Sequence, residues 1–403
     1  MTTQHYRSIV VDARLSRRRF LEVGAMGAGL MLGTPEVWAQ EAVKAEPPEK
    51  TKTNIDEALK VPRTKYSLPG LFPGKVVHVQ DPGAMVDDSP SLPVVEQMFT
   101  RGLKKLTGQD PKKSFKLLFT PDDVVGIKVN PVGAGLISTR TELVQVIVNW
   151  LAAGGLPKAQ IVIWDRFDHM LEEAGFTSER FPDVKIEGLQ TMDPQAPSDP
   201  QGDHSRWRDQ EGNHVSASNF DRNVYYWADV EGSNDLPYLN QHVFSGKHSY
   251  FGKLVTQRLT KIINVAVFKN TGNGISMATK NLGYGAICNT NRLHKPIFFN
   301  VCTEVLAFPC IRDKLVLNIT DGLRAQYQGG PMPAAQFTYD FNSLFFATDP
   351  FALDTVCHHL MVKRRKNARI KINEHPRYTD YLRYAERLGL GIADREKIKT
   401  LQA

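Results

Sequence analysis

Residues 124–164 read VVGIKVNPVGAGLISTRTELVQVIVNWLAAGGLPKAQIVIW, and their pattern of apolar residues indicates an α/β fold. Residues 124–129 form an apolar run with the length and composition of a buried strand. Residues 139–142, TRTE, have the form of a capping box, which predicts that a helix begins there and continues to Ala153. Residues 161–164 are the next apolar strand. A strand, a helix and a strand in this order predict a parallel sheet covered by helices.

The same alternation continues on both sides of this unit. Further strands are predicted at residues 75–79, 262–268, 315–319 and 344–346, and further helices at residues 91–106, 350–360 and 378–388. Asp349 followed by Pro350 marks a helix start, because aspartate caps helices and proline suits the first helical position. We therefore predict an α/β fold with a largely parallel sheet flanked by helices.

Composition divides the chain further. Residues 40–70 are rich in Glu, Lys, Pro and Thr, which is typical of a linker. Residues 71–403 carry the α/β pattern and are predicted to form a single domain. Within them, residues 192–254 are rich in polar and aromatic residues with little periodicity, which predicts a long irregular or β-rich insertion.

The N-terminal segment resembles a twin-arginine export signal. Residues 16–21 read SRRRFL, with Arg17 and Arg18 as the paired arginines, and a moderately apolar run follows at residues 23–32. Small residues before Ala39 predict cleavage after it, so residues 1–39 are the predicted signal, the twin-arginine translocase is a predicted partner, and the mature protein is predicted to be periplasmic. Spanning a membrane needs about 20 apolar residues, and no run reaches that length, so we expect no stable transmembrane segment.

Charge and cysteine content narrow the function classes. The chain has 403 residues and a formal net charge of +7, which is only mildly basic, so nucleic acid is not an expected partner. An oxidising compartment permits disulfides, but four cysteines allow three pairings and the sequence does not choose between them. No Cys-x-x-Cys pair is present, so the chain lacks the usual iron–sulfur and structural zinc motifs. The cysteines are Cys288, Cys302, Cys310 and Cys357.

Residues 127–139 and residues 268–276 repeat one pattern. Each is a strand that ends in lysine and asparagine, followed by a Gly-x-Gly loop and a hydroxyl-bearing residue where a helix is expected. The lysines and asparagines are Lys128 and Asn130 in the first copy and Lys269 and Asn270 in the second. Converging backbone N–H groups, a helix start and a lysine together favour an anion site. Neither copy has the glycine spacing of a Walker or dinucleotide motif, and an ordinary tight turn is the alternative for each.

Acidic residues also follow predicted strands. Asp165 ends one strand, and with His169 four residues later it could hold a divalent metal, although the spacing is not diagnostic. Ligands of parallel α/β sheets bind beyond the carboxyl ends of the strands, so polar residues at these ends are expected to gather there. The expected group is Lys128, Asn130, Asp165, Lys269, Asn270, Asp321 and Asp349.

Residues 280–283, KNLG, followed by Arg292 and His294, complete a set of motifs that resembles the family called domain of unknown function 362. The other motifs, in order, are residues 125–130, residues 321–322, residues 329–331, residues 348–350 with Asp354, and residues 388–391. The resemblance covers about residues 75–398. The resemblance implies a bacterial or archaeal protein. Some members of the family are exported by the twin-arginine route, and some are joined to iron–sulfur segments. This chain has no such cysteine-rich segment.

The resemblance assigns no reaction, but it adds motif positions to those found from the residues. The polar motif positions are Lys128, Asn130, Lys269, Lys280, Asn281, His294 and Asp321. Asn281 and Lys280 have an alternative role, in which the asparagine caps a turn and the lysine stays solvated.

Two functions remain open. In the first, an exported enzyme or binding protein binds an anionic small molecule or a metal–anion cofactor at the strand ends, with lysines holding the anion and His294 and Asp321 as acid or base. In the second, a non-catalytic accessory subunit docks on a periplasmic redox partner through the aromatic residues 207–250. A periplasmic solute-binding protein is less favoured because such proteins usually cross the membrane unfolded.

Overall fold

The computed structural model describes residues 50–190, 219–230, 247–294 and 297–403, and within it residues Lys50–Ala403 form one compact unit. The predicted signal of residues 1–39, with Arg17, Arg18 and the cleavage site after Ala39, lies outside the described residues. The first part of the predicted linker and most of the predicted insertion also lie outside them.

A nine-stranded mixed sheet forms the centre of the described structure, in the order β13-β1-β12-β11-β9-β4-β5-β6, with β10 paired to β9. The strands from β11 to β6 run parallel, whereas β12 is antiparallel to both of its neighbours. The strands of this sheet are β1 (Lys75–Gln80), β4 (Val125–Lys128), β5 (Ile161–Phe167), β6 (Lys185–Gln190), β9 (Lys261–Thr271), β10 (Gly274–Ile275), β11 (Leu315–Gln326), β12 (Thr338–Ala347) and β13 (Lys399–Gln402). Two small antiparallel sheets are β2 (Met85–Val86) with β3 (Ser89–Pro90), and β7 (Phe220–Trp227) with β8 (His248–Gly252).

Helices cover both faces of the sheet. They are α1 (Ile55–Lys60), α2 (Leu92–Thr107), α3 (Pro111–Leu118), α4 (Thr141–Ala153), α5 (Asp168–Glu173), α6 (Ala278–Gly283), α7 (Asn300–Glu304), α8 (Pro309–Arg312), α9 (Pro350–Asn367) and α10 (Asp380–Arg387). Strand β5 has apolar side chains on both faces of the sheet, and helices bury each face. Ile161 and Ile163 belong to the apolar cluster under α2–α4, whereas Val162 and Trp164 belong to the cluster under α6–α8. Strands that are buried on both faces are near-continuously apolar, as the sequence is here.

The predicted fold class is confirmed: a mostly parallel sheet lies between helices, with additional antiparallel strands. The predicted helix start at Asp349 is also confirmed, since its carboxylate accepts hydrogen bonds from the N–H groups of Phe351 and Ala352. The expected position of Asp349 among the other strand-end residues is wrong. Strand β12 runs antiparallel to β11 with Ala347 opposite Asn318, so Asp349 follows it towards the other edge of the sheet.

Helix α4 forms as predicted, but the capping box that was predicted at its start does not. Thr139 does not cap the helix, because its hydroxyl accepts a hydrogen bond from the Asn130 N–H at 2.8 Å and donates to the Val265 carbonyl at 2.9 Å. The threonine therefore ties the segment after β4 to β9. A distant residue reaches this position instead: Asp321 of β11 accepts a hydrogen bond at 2.8 Å from the N–H of Arg140, the residue before α4.

The chain leaves the neighbouring strands β4 and β9 in opposite directions. Strand β4 connects through α4 to β5, whereas β9 connects to β11 on its other side. Such a switch point leaves a crevice at the carboxyl ends of the strands, where α/β proteins bind their ligands. Lys128 ends β4 and Lys269 lies near the end of β9, so the two repeated elements meet at this crevice.

The described parts of the predicted linker and insertion pack against the domain. Ile55 and Ala58 of α1, and Leu68, belong to the apolar cluster on one face of the sheet, so residues 50–70 lie against the domain surface. In the insertion, β7 and β8 form an antiparallel pair. Tyr226 of β7 is fully buried and donates a hydrogen bond to Glu304 at 2.8 Å.

The four cysteines are all among the described residues and are free thiols. Burial raises the pKa of Cys288 to about 11 and that of Cys302 to about 12, which keeps both thiols protonated and unreactive at neutral pH. None of the described helices is long and apolar enough to cross a membrane.

Candidate functional site

A cavity of about 490 Å³ lies at the carboxyl ends of β4, β5 and β9. We call it the lysine cavity, because three lysines line it. The predicted site residues that line it are Lys128, Asn130, Asp165, Lys269, Lys280, Asn281 and His294. Most of the predicted ligand-binding group therefore comes together at one place, although its members are up to 166 positions apart in the sequence.

Lys128 and Asp165 form a buried ion pair at the base of the lysine cavity. They end or nearly end the neighbouring parallel strands β4 and β5, and the lysine amine donates a short hydrogen bond to the carboxylate. Lys128 also donates to the Val129 carbonyl at 2.7 Å and to Asn281 Oδ1 at 3.1 Å. Burial lowers the pKa of Lys128, and Asp165 opposes that shift. The charge of Lys128 is thus already balanced within the protein.

Gly285 has no side chain, and the Lys128 side chain occupies the space that one would fill. A Cβ atom built on Gly285 would lie 2.5 Å from Lys128 Cε and 2.3 Å from the carbonyl oxygen of Asn281. Neither neighbour has room to move, because both belong to the hydrogen-bonded base of the cavity. No feature of the sequence marked this glycine in advance.

Hydrogen bonds between side-chain amides connect the end of β4, helix α6 and strands β9 and β11. Asn281 Oδ1 accepts a hydrogen bond from Asn130 at 3.2 Å, and Asn281 Nδ2 donates to Asn264 Oδ1 at 2.8 Å. Asn264 in turn donates to Asn318 Oδ1 at 3.0 Å, so the amides form a chain across β9 and β11. Buried polar groups that are satisfied in this way hold a site rigidly.

Lys269 is fully buried and organises the loop that follows β4. Its amine donates to Asn130 Oδ1 at 2.9 Å and to the Val132 carbonyl at 2.7 Å. Burial and then the nearby Lys280 lower the pKa of Lys269 to about 7, so this amine changes charge near neutral pH.

Lys280 differs from the other two lysines. It is only partly buried, and within the described residues its amine has no hydrogen-bond partner and no carboxylate partner. The amine lies 5.1 Å from the ring centroid of Tyr284 and 5.5 Å from that of Phe298, so aromatic faces are its only close attractive contacts there. Burial lowers the pKa of Lys280, and Lys128 contributes to this effect. Lys280 is therefore the cation in the cavity that a ligand would best balance.

His294 packs against the same two aromatic rings. Its centroid lies 4.6 Å from that of Tyr284 and 5.3 Å from that of Phe298. Nδ1 lies 2.8 Å from the Thr290 carbonyl oxygen, which can only accept, so Nδ1 carries the proton and Nε2 has the free electron pair. Burial and then Lys280 lower the pKa of His294 to about 4, so the ring is neutral at neutral pH. Such a ring can accept a proton or a hydrogen bond.

Asn270 and Asp321 do not line the lysine cavity. Asn270 Oδ1 accepts a hydrogen bond from the Gly330 N–H at 2.9 Å, which holds the loop of residues 329–333. Both carboxylate oxygens of Asp321 accept backbone hydrogen bonds, one from Arg140 and one at 3.1 Å from Leu323. Burial raises the pKa of Asp321 to about 6. Its acid or base role stays a prediction, and in the described structure the carboxylate binds the backbone before α4 and at Leu323.

A metal site at Asp165 and His169 stays a prediction. Among the described residues, no group of three or more His, Cys, Asp or Glu side chains is arranged to hold a metal ion. Asp165 is paired with Lys128, and the His169 ring packs 5.7 Å from that of Phe167.

Sequence reasoning missed the residues that form the wall of the cavity. Arg166 follows Asp165 on β5, is buried, and donates to the Thr290 hydroxyl at 2.5 Å. Pro331, Met332 and Pro333 reach the cavity from the loop after β11. The glycine and proline content of residues 329–333 signalled a loop, but not which strand ends the loop would approach.

Two larger grooves, of about 950 and 940 Å³, also occur in the described structure. The first shares His294 and Phe298 with the region of the lysine cavity and is lined by Lys50, Arg377 and Arg387, whereas the second lies along α9 and α10. Neither lies at the switch point between β4 and β9, and neither contains a buried lysine. We therefore assign the candidate site to the lysine cavity.

Comparison with known proteins supports the family resemblance. Residues 212–359 match the sequence model of a family described as Domain of unknown function (DUF362), and no curated protein matches the chain. The matched stretch contains Lys269, Lys280, Asn281 and His294 of the lysine cavity, whereas Lys128 and Asp165 precede it.

Proposed function

We propose that the lysine cavity binds an anionic small molecule. The observation that carries this proposal is that three lysines line one cavity whose buried carboxylate, Asp165, is already paired with Lys128. Lys280 is left without an anionic partner in the described residues. Burying an unpaired cation is costly, and a bound anion relieves that cost.

Each group in the cavity has a distinct part in this proposal. Lys280 contacts the anion directly, while Lys269 adds positive potential from a buried position, and Lys128 stays paired with Asp165. The Asn130 and Asn281 amides fix the positions of Lys269 and Lys128, so this part of the site is formed before the ligand arrives. His294, with Nε2 unprotonated, accepts a hydrogen bond or a proton from the ligand, which is the step on which an enzymatic activity would depend.

The affinity for anions is expected to fall as pH rises above 7. A bound anion favours the charged form of Lys269 and raises its pKa from about 7. The contribution of this lysine to binding is fully present below pH 7 and is lost as pH increases towards the pKa in the complex. Sulfate is a suitable probe because its charge is constant from pH 6 to 9. We expect its affinity, measured by isothermal titration calorimetry, to fall about tenfold between pH 7 and pH 9.

Two outcomes of that titration would count against the account. The absence of saturable binding by both sulfate and inorganic phosphate at pH 7 would overturn the proposed anion site. Binding that stays constant between pH 7 and pH 9 would show that the anion sits away from Lys269.

We propose that the protein is exported to the periplasm by the twin-arginine translocase. The support is the sequence of residues 16–21, the apolar run after it and the small residues before Ala39. Replacing Arg17 and Arg18 together by lysine is expected to hold the full-length chain in the cytoplasm, measured by cell fractionation. The variant Arg7→Lys, outside the motif, should be exported like the wild type. Export of the double variant at the wild-type level would contradict the assignment.

Docking on an exported redox partner is the second function that the sequence left open. Most of the aromatic residues 207–250 lie outside the described residues, and within β7 the most buried of them, Tyr226, packs in the core. Tyr225 packs instead against His248 and Tyr250, in a ring cluster that is only partly buried. We favour the anion site because the described residues include the lysines of the cavity and the hydrogen bonds that hold two of them.

A further inference from the structure

The wall of the lysine cavity has a different chemistry from its base. We propose that its ligand is an organic anion with an apolar or aromatic body, whose charged group lies beside Lys280 and whose body lies against the apolar residues of the wall. This inference rests on the proposed anion site and specifies the class of its ligand.

Several apolar groups of the cavity come from elements that carry none of its lysines. The lysines and the asparagines that hold them lie at the ends of β4 and β9 and on α6. Phe167 at the end of β5 and Met170 on α5 provide one apolar side, and Pro331 and Met332 on the loop after β11 provide another. A ligand that only carried charge would leave these side chains in contact with water.

Met332 is the clearest sign of an uncovered apolar surface. Its side chain is 57% exposed, the highest value among the large apolar side chains that are exposed in the described residues. Methionine is a polarisable side chain that adapts to ligand shape and makes favourable contacts with aromatic rings. An exposed methionine beside a cavity of organised cations is therefore suited to cover a ligand.

The backbone at Met332 is held in place over the cavity. Gln326 is fully buried, and its amide donates to the Met332 carbonyl at 2.9 Å and accepts from the Ala334 N–H at 2.8 Å. Asn270 fixes the Gly330 N–H of the same loop. These hydrogen bonds hold the loop backbone on both sides of Met332 and leave its side chain exposed.

The size of the cavity agrees with such a ligand. Sites for small organic molecules usually have volumes of about 300 to 1,000 Å³ and apolar walls with a few placed polar groups. A volume of about 490 Å³ lies within that range. An inorganic anion would fill only a small part of it.

The test compares two probes that share one charged group. Phenyl phosphate and inorganic phosphate are titrated into the full chain by calorimetry at pH 7. Burying a phenyl ring against apolar walls is expected to make phenyl phosphate bind at least about tenfold more tightly. In Met332→Ser, the ratio of the two affinities is expected to fall about threefold or more, because part of the apolar wall is removed.

A matched control is Val86→Ser, which changes a 55% exposed apolar residue on β2, outside the residues that line the cavity. Its affinity ratio should equal that of the wild type. Equal affinities for the two probes would overturn the organic-anion inference and leave the anion site intact. Absence of binding by both probes would overturn the two together. A preference for phenyl phosphate that is unchanged in Met332→Ser would contradict the location of the ligand body.

Discussion

Replacing Asp165 by asparagine is expected to lower the free energy of unfolding by about 3 kcal/mol. Asp165 and Lys128 are both buried, and among the described residues this carboxylate is the only acidic group that hydrogen-bonds the lysine amine. Asparagine has nearly the same shape, so the variant removes the negative charge and leaves Lys128 unbalanced among buried groups. Chemical denaturation monitored by fluorescence or circular dichroism measures the loss.

The double variant Lys128→Met/Asp165→Asn is expected to recover at least half of that loss, because the unbalanced charge is then removed as well. Asp229→Asn is the matched control, since Asp229 forms an exposed ion pair with Lys247. Exposed pairs contribute little to stability, so the control should unfold close to the wild-type midpoint. A loss in Asp165→Asn no larger than in the control would contradict a buried, balanced pair at the base of the cavity.

Replacing Lys280 by methionine is expected to raise stability while it removes anion binding. The lysine amine has no acceptor within the described residues, so methionine leaves no hydrogen-bonding group unsatisfied there, and it removes a cation whose pKa burial already lowers. We expect the free energy of unfolding to rise by about 1 kcal/mol, because an unpaired and desolvated charge is destabilising. The affinity for inorganic phosphate is expected to fall by about tenfold to a hundredfold, since a charge-assisted hydrogen bond to the anion is lost.

The opposite signs of the two effects separate a binding role from a structural one. When a residue that only supports the fold is replaced, the protein becomes less stable, and its ligand affinity falls as a consequence. The exposed Lys104 on α2 is a suitable control, and Lys104→Met should change neither property. A destabilised Lys280→Met variant, or one with wild-type affinity, would show that Lys280 is not the anion contact.

Much of the fold was predictable from residues 124–164 alone. A buried-strand run, a helix and a second strand dictate parallel pairing, and the repeated Lys-Asn-Gly element placed Lys128 and Lys269 at strand ends. Both lysines line the same cavity. The sequence did not show that β12 is antiparallel, because a buried strand has the same apolar pattern in either direction. That single reversal moved Asp349 away from the site.

The unexpected contacts of Thr139 and Asp321 have one cause. A threonine three positions before glutamate predicts local capping, whereas the structure satisfies the start of α4 with a carboxylate from β11, far away in the sequence. A hydrogen bond between residues that are far apart in the sequence cannot be predicted from the residues around the helix start. The unpaired state of Lys280 is equally invisible in sequence, because it depends on which carboxylates the fold brings near it.

The number of protons that the protein takes up when an anion binds decides whether the anion lies among the lysines of the cavity. Titration of the wild-type protein with sulfate at pH 8, in two buffers of different ionisation enthalpy, gives that number from the difference in heat. The account predicts saturable binding with net proton uptake, because the anion raises the pKa of the partly neutral Lys269. Saturable binding without proton uptake, or no binding at all, would contradict an anion site among these lysines.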